Sequence, residues 1–131
     1  MTSKIPNGLR VEVYWNLRKE LYSVRALQDH GEHIKKGRVI GHQSFVRLDN
    51  AKFVVQPAGL ARVRREGVKN VHAFIRGTWE AGPMAAGPHH PDQQVSYNPY
   101  KAGNFVMRST GEPVTEADSV TLTHTGQAYI G

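Results

Sequence analysis

The chain of 131 residues contains no cysteine and has a formal net charge of +6. The lack of cysteine excludes disulfides, thiolate metal sites and a cysteine nucleophile. No apolar run approaches the roughly 20 residues that a transmembrane helix needs. These bounds predict one cytoplasmic domain over residues 1–131, with no membrane partner.

The cationic residues are concentrated in the first part of the chain. Up to Trp79 there are fifteen Lys and Arg and six Asp and Glu, a balance of +9. From Glu80 onward there are two against five, a balance of −3. Such asymmetry indicates that the first part contacts a polyanion, whereas a solvated basic surface is the simpler alternative.

The N-terminal third predicts a flexible arm followed by a hairpin. Residues 1–8 form the arm. Apolar and polar residues alternate from Arg10 to Leu17, which is typical of a half-buried strand, and Leu21 to Leu27 predicts the returning strand. Gln28 to Gly37 is a polar loop.

The middle of the chain predicts two strands, a short helix and another strand. Arg38 to Leu48 is the third strand, and the turn residues Asp49-Asn50 separate it from a fourth strand, Ala51 to Gln56. A helix is predicted from Pro57 to Gly67, because proline suits a first helical turn and glycine a helix end. Val71 to Gly77 then alternates as a fifth strand. Eight residues of these elements are predicted to be buried: Val13, Trp15, Val54, Leu60, Val63, Val71, Ala73 and Ile75.

The remainder predicts a long loop and two short strands. Residues 81–99 are rich in Gly and Pro and predict a loop. Phe105 to Arg108 and Val120 to Thr125 predict strands, and Thr115 to Asp118 a single helical turn. The fold class is therefore α+β, a mostly antiparallel sheet of about five to seven strands with one short helix packed on it.

Two histidines within predicted strands are the candidate catalytic residues. His42 and His72 could act as general base and general acid in metal-independent RNA cleavage, because imidazole titrates near neutral pH. Arg76 would stabilise the charge that develops on the phosphorus centre. The alternative is that both histidines are ordinary hydrogen-bonded core or surface residues.

A second pair of histidines has the spacing of a metal site. His30 and His33 lie three residues apart beside Asp29 and Glu32, a pattern that could seat a metal ion. They fall in a glycine-containing polar loop without a second pair of ligands in sequence. A solvated loop is the preferred interpretation, and no metal or cofactor is predicted.

The densest cationic cluster predicts phosphate contact. Arginine suits phosphate because its planar guanidinium donates two hydrogen bonds at once, although it is also a good helix former on a solvated face. The segment SYNPYK adds aromatic rings that could stack on a base or anchor the loop. The predicted phosphate-binding or ligand-binding residues are Arg62, Arg64, Arg65, Lys69, Tyr97, Tyr100 and Lys101.

The blocks VEVYWNL, SVR, FVVQPAG, KNVHAFIRG and YNPYKAGNFV resemble small uncharacterised proteins encoded by tailed phages and prophages. The resemblance implies action in the cytoplasm of a host cell and carries no established activity. In layout the chain is also similar to barnase, EndoU, colicin and RelE-like nucleases. Those nucleases generally place a helical segment ahead of the sheet, whereas this chain begins with a predicted hairpin.

Together these features predict a small basic phage-type domain that binds RNA, a nucleotide or another phosphate-bearing ligand. If the domain is also an enzyme, the predicted activity is metal-independent RNA cleavage. One alternative is a non-enzymatic phage protein that binds and inhibits a host or defence component. Another is a virion component, in which the long loop acts as an arm between subunits. A monomer or small homo-oligomer is expected.

Overall fold

The computed structural model describes residues 5–16, 18–54, 73–80, 90–98 and 104–130. Alternating apolar residues make most of these ranges into strands, because alternate side chains of a strand face opposite sides of the sheet. The nine strands, in chain order, are β1 Arg10–Asn16, β2 Leu21–Ala26, β3 Val39–Gln43, β4 Val46–Phe53, β5 Ile75–Trp79, β6 Gln94–Tyr97, β7 Phe105–Met107, β8 Glu116–Leu122 and β9 Ala128–Ile130.

All nine strands belong to one sheet in the order β3-β2-β1-β5-β4-β8-β9-β6-β7. Every neighbouring pair is antiparallel. The predicted hairpin of the first two strands is confirmed, with Val11 opposite Ala26 and Asn16 opposite Leu21. The non-local order places β5 between β1 and β4, so residues far apart in sequence become neighbours on the sheet.

One face of the sheet forms the hydrophobic core. Val11 and Val13 of β1 are fully buried, as are Val46 and Leu48 of β4. Of the residues predicted to be buried, Val13 and Ile75 are confirmed, and Trp15, Val54 and Ala73 are half-buried. The other three, Leu60, Val63 and Val71, lie outside the described residues.

The sheet folds over, so that strands distant in its order contact each other. The hydroxyl of Tyr22 in β2 donates a hydrogen bond to the carbonyl oxygen of Thr123, just after β8, at 2.6 Å. The rings of Phe53 in β4 and Phe105 in β7 have centroids 5.0 Å apart. These contacts close the core between the two halves of the sheet.

The predicted α+β class is wrong. The described residues form an antiparallel sheet of nine strands rather than five to seven, and their one helical segment is the 3-10 turn Pro91–Gln93. The predicted helix of residues 57–67 lies outside the described residues. Within the described ranges, no helix is long and apolar enough to cross a membrane.

The predicted strand Arg38 to Leu48 and the turn after it also differ from the structure. The strand is divided at Ser44-Phe45 into β3 and β4, which lie on opposite sides of the β2-β1-β5 group. Asp49-Asn50 does not end a strand, because β4 continues through both residues. Asn50 has φ of 51° and, with Ala51, lies opposite the single residue Gly77 of β5. This two-against-one arrangement is a β-bulge.

Three further segments differ from the sequence prediction. In the predicted arm, Ile5 is buried and the Gly8 amide donates to the carbonyl oxygen of Trp79. The second half of the predicted loop 81–99 contains β6. The predicted helical turn of residues 115–118 is wrong, since Glu116 begins β8.

Candidate functional site

A row of charged residues crosses the sheet on the face opposite the core. Arg25 of β2 lies opposite Glu12 of β1, which in turn lies opposite Arg76 of β5. Arg76 lies opposite Lys52 of β4. Because these residues alternate with buried Val11, Val13 and Ile75, strand geometry places their side chains on the outward face.

Glu12 is the centre of this row and is only 6% exposed. Its Oε2 accepts a hydrogen bond from Nε of Arg76 at 2.6 Å, and its Oε1 accepts one from Arg25 at 3.3 Å. A buried carboxylate is stable only when it is paired and hydrogen-bonded. Glu12 therefore fixes the positions of both guanidinium groups on the outward face.

Aromatic rings lie beside the charged row. The ring of Tyr14, two residues after Glu12 on β1, makes an edge contact with Phe74, with centroids 5.4 Å apart. The guanidinium carbon of Arg25 lies 5.8 Å from the Tyr14 ring centroid, within cation–π range. Both rings are half-buried, so their uncovered parts belong to the same outward face.

His42 lies on β3 at one edge of the sheet. It is half-buried, and its Nδ1 is 3.2 Å from the Ser23 hydroxyl, which also accepts a hydrogen bond from the Asn16 amide at 3.3 Å. Three strand spacings, about 14 Å at the usual separation, divide β3 from the strand of Arg76. The structure therefore does not bring His42 and Arg76 together. His72 lies outside the described residues.

A pair of carboxyl groups lies next to the charged row. Glu80 follows β5, and its amide donates to the carbonyl oxygen of Arg47. The pKa of the Glu80 carboxyl is raised above its ordinary value by a hydrogen bond to the Asp49 side chain and by the charge of that group, with a smaller effect of burial. The positive charge of Arg47 opposes the shift. The Glu80 carboxyl thus retains its proton to a higher pH than an isolated glutamate does.

The other predicted site residues divide into placed and undescribed ones. Tyr97 is half-buried in β6, with its ring centroid 5.0 Å from that of Phe105, so it packs against the core. His30 and His33 are exposed, and no group of three potential metal ligands occurs in the described part of the chain. The remainder lie outside the described residues: Arg62, Arg64, Arg65, Lys69, Tyr100 and Lys101.

Sequence reasoning missed four residues of the outward face, namely Arg10, Glu12, Arg25 and Lys52. Arg10 and Glu12 alternate with the predicted core residue Val13, so the period of the strand did contain a signal for them. Arg25 and Lys52 could be placed beside them only once the strand order was known.

Residues 4–130 match the protein family described as Mycobacterium phage L5 gene 82 protein. The chain is 41% identical over 128 residues to the Gene 82 protein of Mycobacterium phage L5, an alignment that covers 92% of this chain and 95% of that relative. No solved structure matches the chain significantly. The resemblance to phage-encoded proteins is thereby confirmed, and the chain belongs to the family of the Mycobacterium phage L5 gene 82 protein.

Proposed function

We propose that this phage protein binds RNA or another single-stranded, phosphate-bearing ligand in the cytoplasm of the host cell. The observation that carries the proposal is the outward face of strands β2, β1, β5 and β4. There Arg25, Arg76 and Lys52 lie beside the rings of Tyr14 and Phe74. Cations for the backbone and aromatic faces for the bases are the two features that single-strand binding requires.

The sequence between β4 and β5 contains the densest cationic cluster of the chain. Because β4 and β5 are antiparallel neighbours, the segment of residues 55–72 leaves and returns at the end of the sheet that carries Phe53 and Ile75. Lys52 and Arg76 are the residues next to that end. The segment contains Arg62, Arg64, Arg65 and Lys69, which lie outside the described residues and are tested by substitution below.

The described geometry separates two of the three predicted catalytic residues, His42 and Arg76. RNA cleavage by two imidazoles requires a base, an acid and a cation within reach of one phosphate. His42 and Arg76 are separated by the width of β2 and β1, and the Nδ1 of His42 already contacts Ser23. Cleavage at His42 would therefore need a cation other than Arg76, so we propose binding without cleavage.

Fluorescence anisotropy with a short labelled single-stranded RNA tests the proposal at several salt concentrations. Binding should weaken as salt rises, with a log–log slope of about −0.7 for each phosphate contacted. A variant with Arg62, Arg64, Arg65 and Lys69 changed to alanine should lose most of the affinity. The matched control changes four cations of the turn and loop, which are Arg18, Lys19, Lys35 and Lys36.

Three results would contradict parts of this proposal. Absence of binding at low salt, or binding indifferent to salt, would refute polyanion recognition and favour a host protein as partner. Equal losses of affinity in the two quadruple variants would show that net charge alone matters. Cleavage of the RNA that is abolished by His42→Ala would restore the ribonuclease hypothesis.

A further inference from the structure

A concavity of about 480 Å³ lies at the bulge of β4, on the outward face of the sheet. Asn50 and Ala51 together lie opposite Gly77, so the β4–β5 ladder is interrupted at the position of the concavity. Its lining residues come from three adjacent strands and are Arg10, Asn50, Lys52, Arg76, Gly77 and Thr78.

The lining has the chemistry of an oxyanion site. Three of its described residues are cationic and none is acidic. The side chains of Arg10 and Lys52 are exposed and form no ion pair with the described residues. Arg76 contacts Glu12 through Nε, and its side chain is 50% exposed, which leaves the terminal guanidinium nitrogens for a second acceptor.

The arrangement of Arg76 favours binding because the side chain is already fixed. An arginine loses conformational entropy when a ligand immobilises it, and a prior ion pair removes part of that cost. Glu12 holds the guanidinium with a 2.6 Å hydrogen bond and is itself 6% exposed. The Asn50 amide and the Thr78 hydroxyl supply neutral donors beside the three cations.

We infer that this concavity is an oxyanion site, occupied by a phosphate group of a bound nucleic acid backbone. The inference rests on the proposed function and names one contact point within it. Arg10 from β1 and Lys52 from β4 supply exposed positive charges, and Arg76 from β5 supplies a guanidinium already oriented by Glu12. The interrupted ladder provides the room for the phosphate oxygens.

The double variant Arg10→Ala/Lys52→Ala tests the site. Arg76 is left unchanged, because its removal would leave buried Glu12 without one of its ion-pair partners. The control is Arg18→Ala/Lys19→Ala, which removes the same charge from the β1–β2 turn. With single-stranded RNA, the first variant should have a salt slope smaller in magnitude by about 0.7, the share of one phosphate, and the control should retain the wild-type slope. Urea unfolding of both variants establishes that they are folded.

Inorganic phosphate is the second probe, because it reports the site without RNA. In wild-type protein, phosphate should shift the backbone amide NMR signals of Asn50 and Thr78. Both shifts should disappear in Arg10→Ala/Lys52→Ala and persist in the control. Equal RNA salt slopes in the two double variants would overturn the site while leaving RNA binding by the protein intact.

A wild-type protein that fails to bind RNA would overturn the proposed function, and with it the nucleic-acid source of the phosphate. In that case, localised phosphate shifts would establish a site for free phosphate. Absence of those shifts would overturn the oxyanion site altogether.

Discussion

Replacing Tyr22 by phenylalanine should destabilise the fold by removing one hydrogen bond. Tyr22 is 3% exposed, and its hydroxyl joins β2 to Thr123 across 101 residues of chain. Phenylalanine retains the ring that packs against Trp15 at a centroid distance of 4.8 Å. The change removes a buried hydrogen bond, while the Thr123 carbonyl oxygen keeps the Gly126 amide as a donor at 3.0 Å. The free energy of unfolding should therefore fall by about 1 kcal/mol.

Urea unfolding monitored by circular dichroism measures this destabilisation as a lower midpoint at unchanged m-value. Tyr129→Phe is the control, because the Tyr129 hydroxyl donates to Gln127 at 3.2 Å in an exposed position. Its cost should remain within about 0.5 kcal/mol. A Tyr22→Phe protein as stable as Tyr129→Phe would refute the view that the hydroxyl of Tyr22 closes the sheet.

At alkaline pH, the stability of the wild-type protein should fall more steeply than that of Tyr22→Phe. Burial raises the pKa of Tyr22 above its usual 10.0. The unfolded chain therefore releases this proton near pH 10 while the folded protein still holds it. The contribution of Tyr22 to the free energy of unfolding is complete below the pKa that the residue has in the unfolded chain. It is lost as pH rises from that pKa toward the pKa in the folded protein, by up to about 1.4 kcal/mol per pH unit. Parallel pH profiles for wild type and Tyr22→Phe would contradict this.

Two further substitutions test the packing around the charged row and the bulge. Glu12→Gln removes the carboxylate between two partly exposed arginines, so the free energy of unfolding measured in urea should fall by about 1–3 kcal/mol. The control Glu32→Gln, in the exposed loop, should show no significant change. Gly77→Ala would place a methyl group 2.9 Å from the Cβ of Leu48 and should cost about 1–3 kcal/mol, whereas the same change at Gly41 meets only ordinary contacts. Equal stabilities of either variant and its control would contradict these accounts.

The first hairpin could be predicted from sequence because its pattern is local. Val11 and Val13 alternate with Glu12 and Tyr14, and the polar turn at residues 18–20 leaves a strand of similar length on each side. Pairing of such neighbours needs no information from elsewhere in the chain. The structure has the same strands, with the fully buried valines on the predicted face.

The first half of β8 could not be predicted in this way. Glu116, Ala117 and Asp118 carry no apolar alternation, and glutamate and alanine favour a helix. They form a strand because Glu116 and Ala117 lie opposite Lys52 and Ala51 of β4. Strand preference depends on the neighbouring strand more than on the residue itself, so the decisive information was located about sixty residues earlier in the chain.

The candidate site depends on the same kind of non-local information. Asp49-Asn50 predicts a turn because asparagine tolerates positive φ, and Asn50 indeed has φ of 51°. That conformation ends a strand when no partner follows, but β8 pairs with β4 on both sides of Asn50 and keeps the strand continuous. The extra residue is therefore accommodated against β5, opposite Gly77, as a bulge. The Asp49-Asn50 pattern correctly predicted the backbone conformation of Asn50. Only the strand order places Asn50 in a concavity together with cations from three strands.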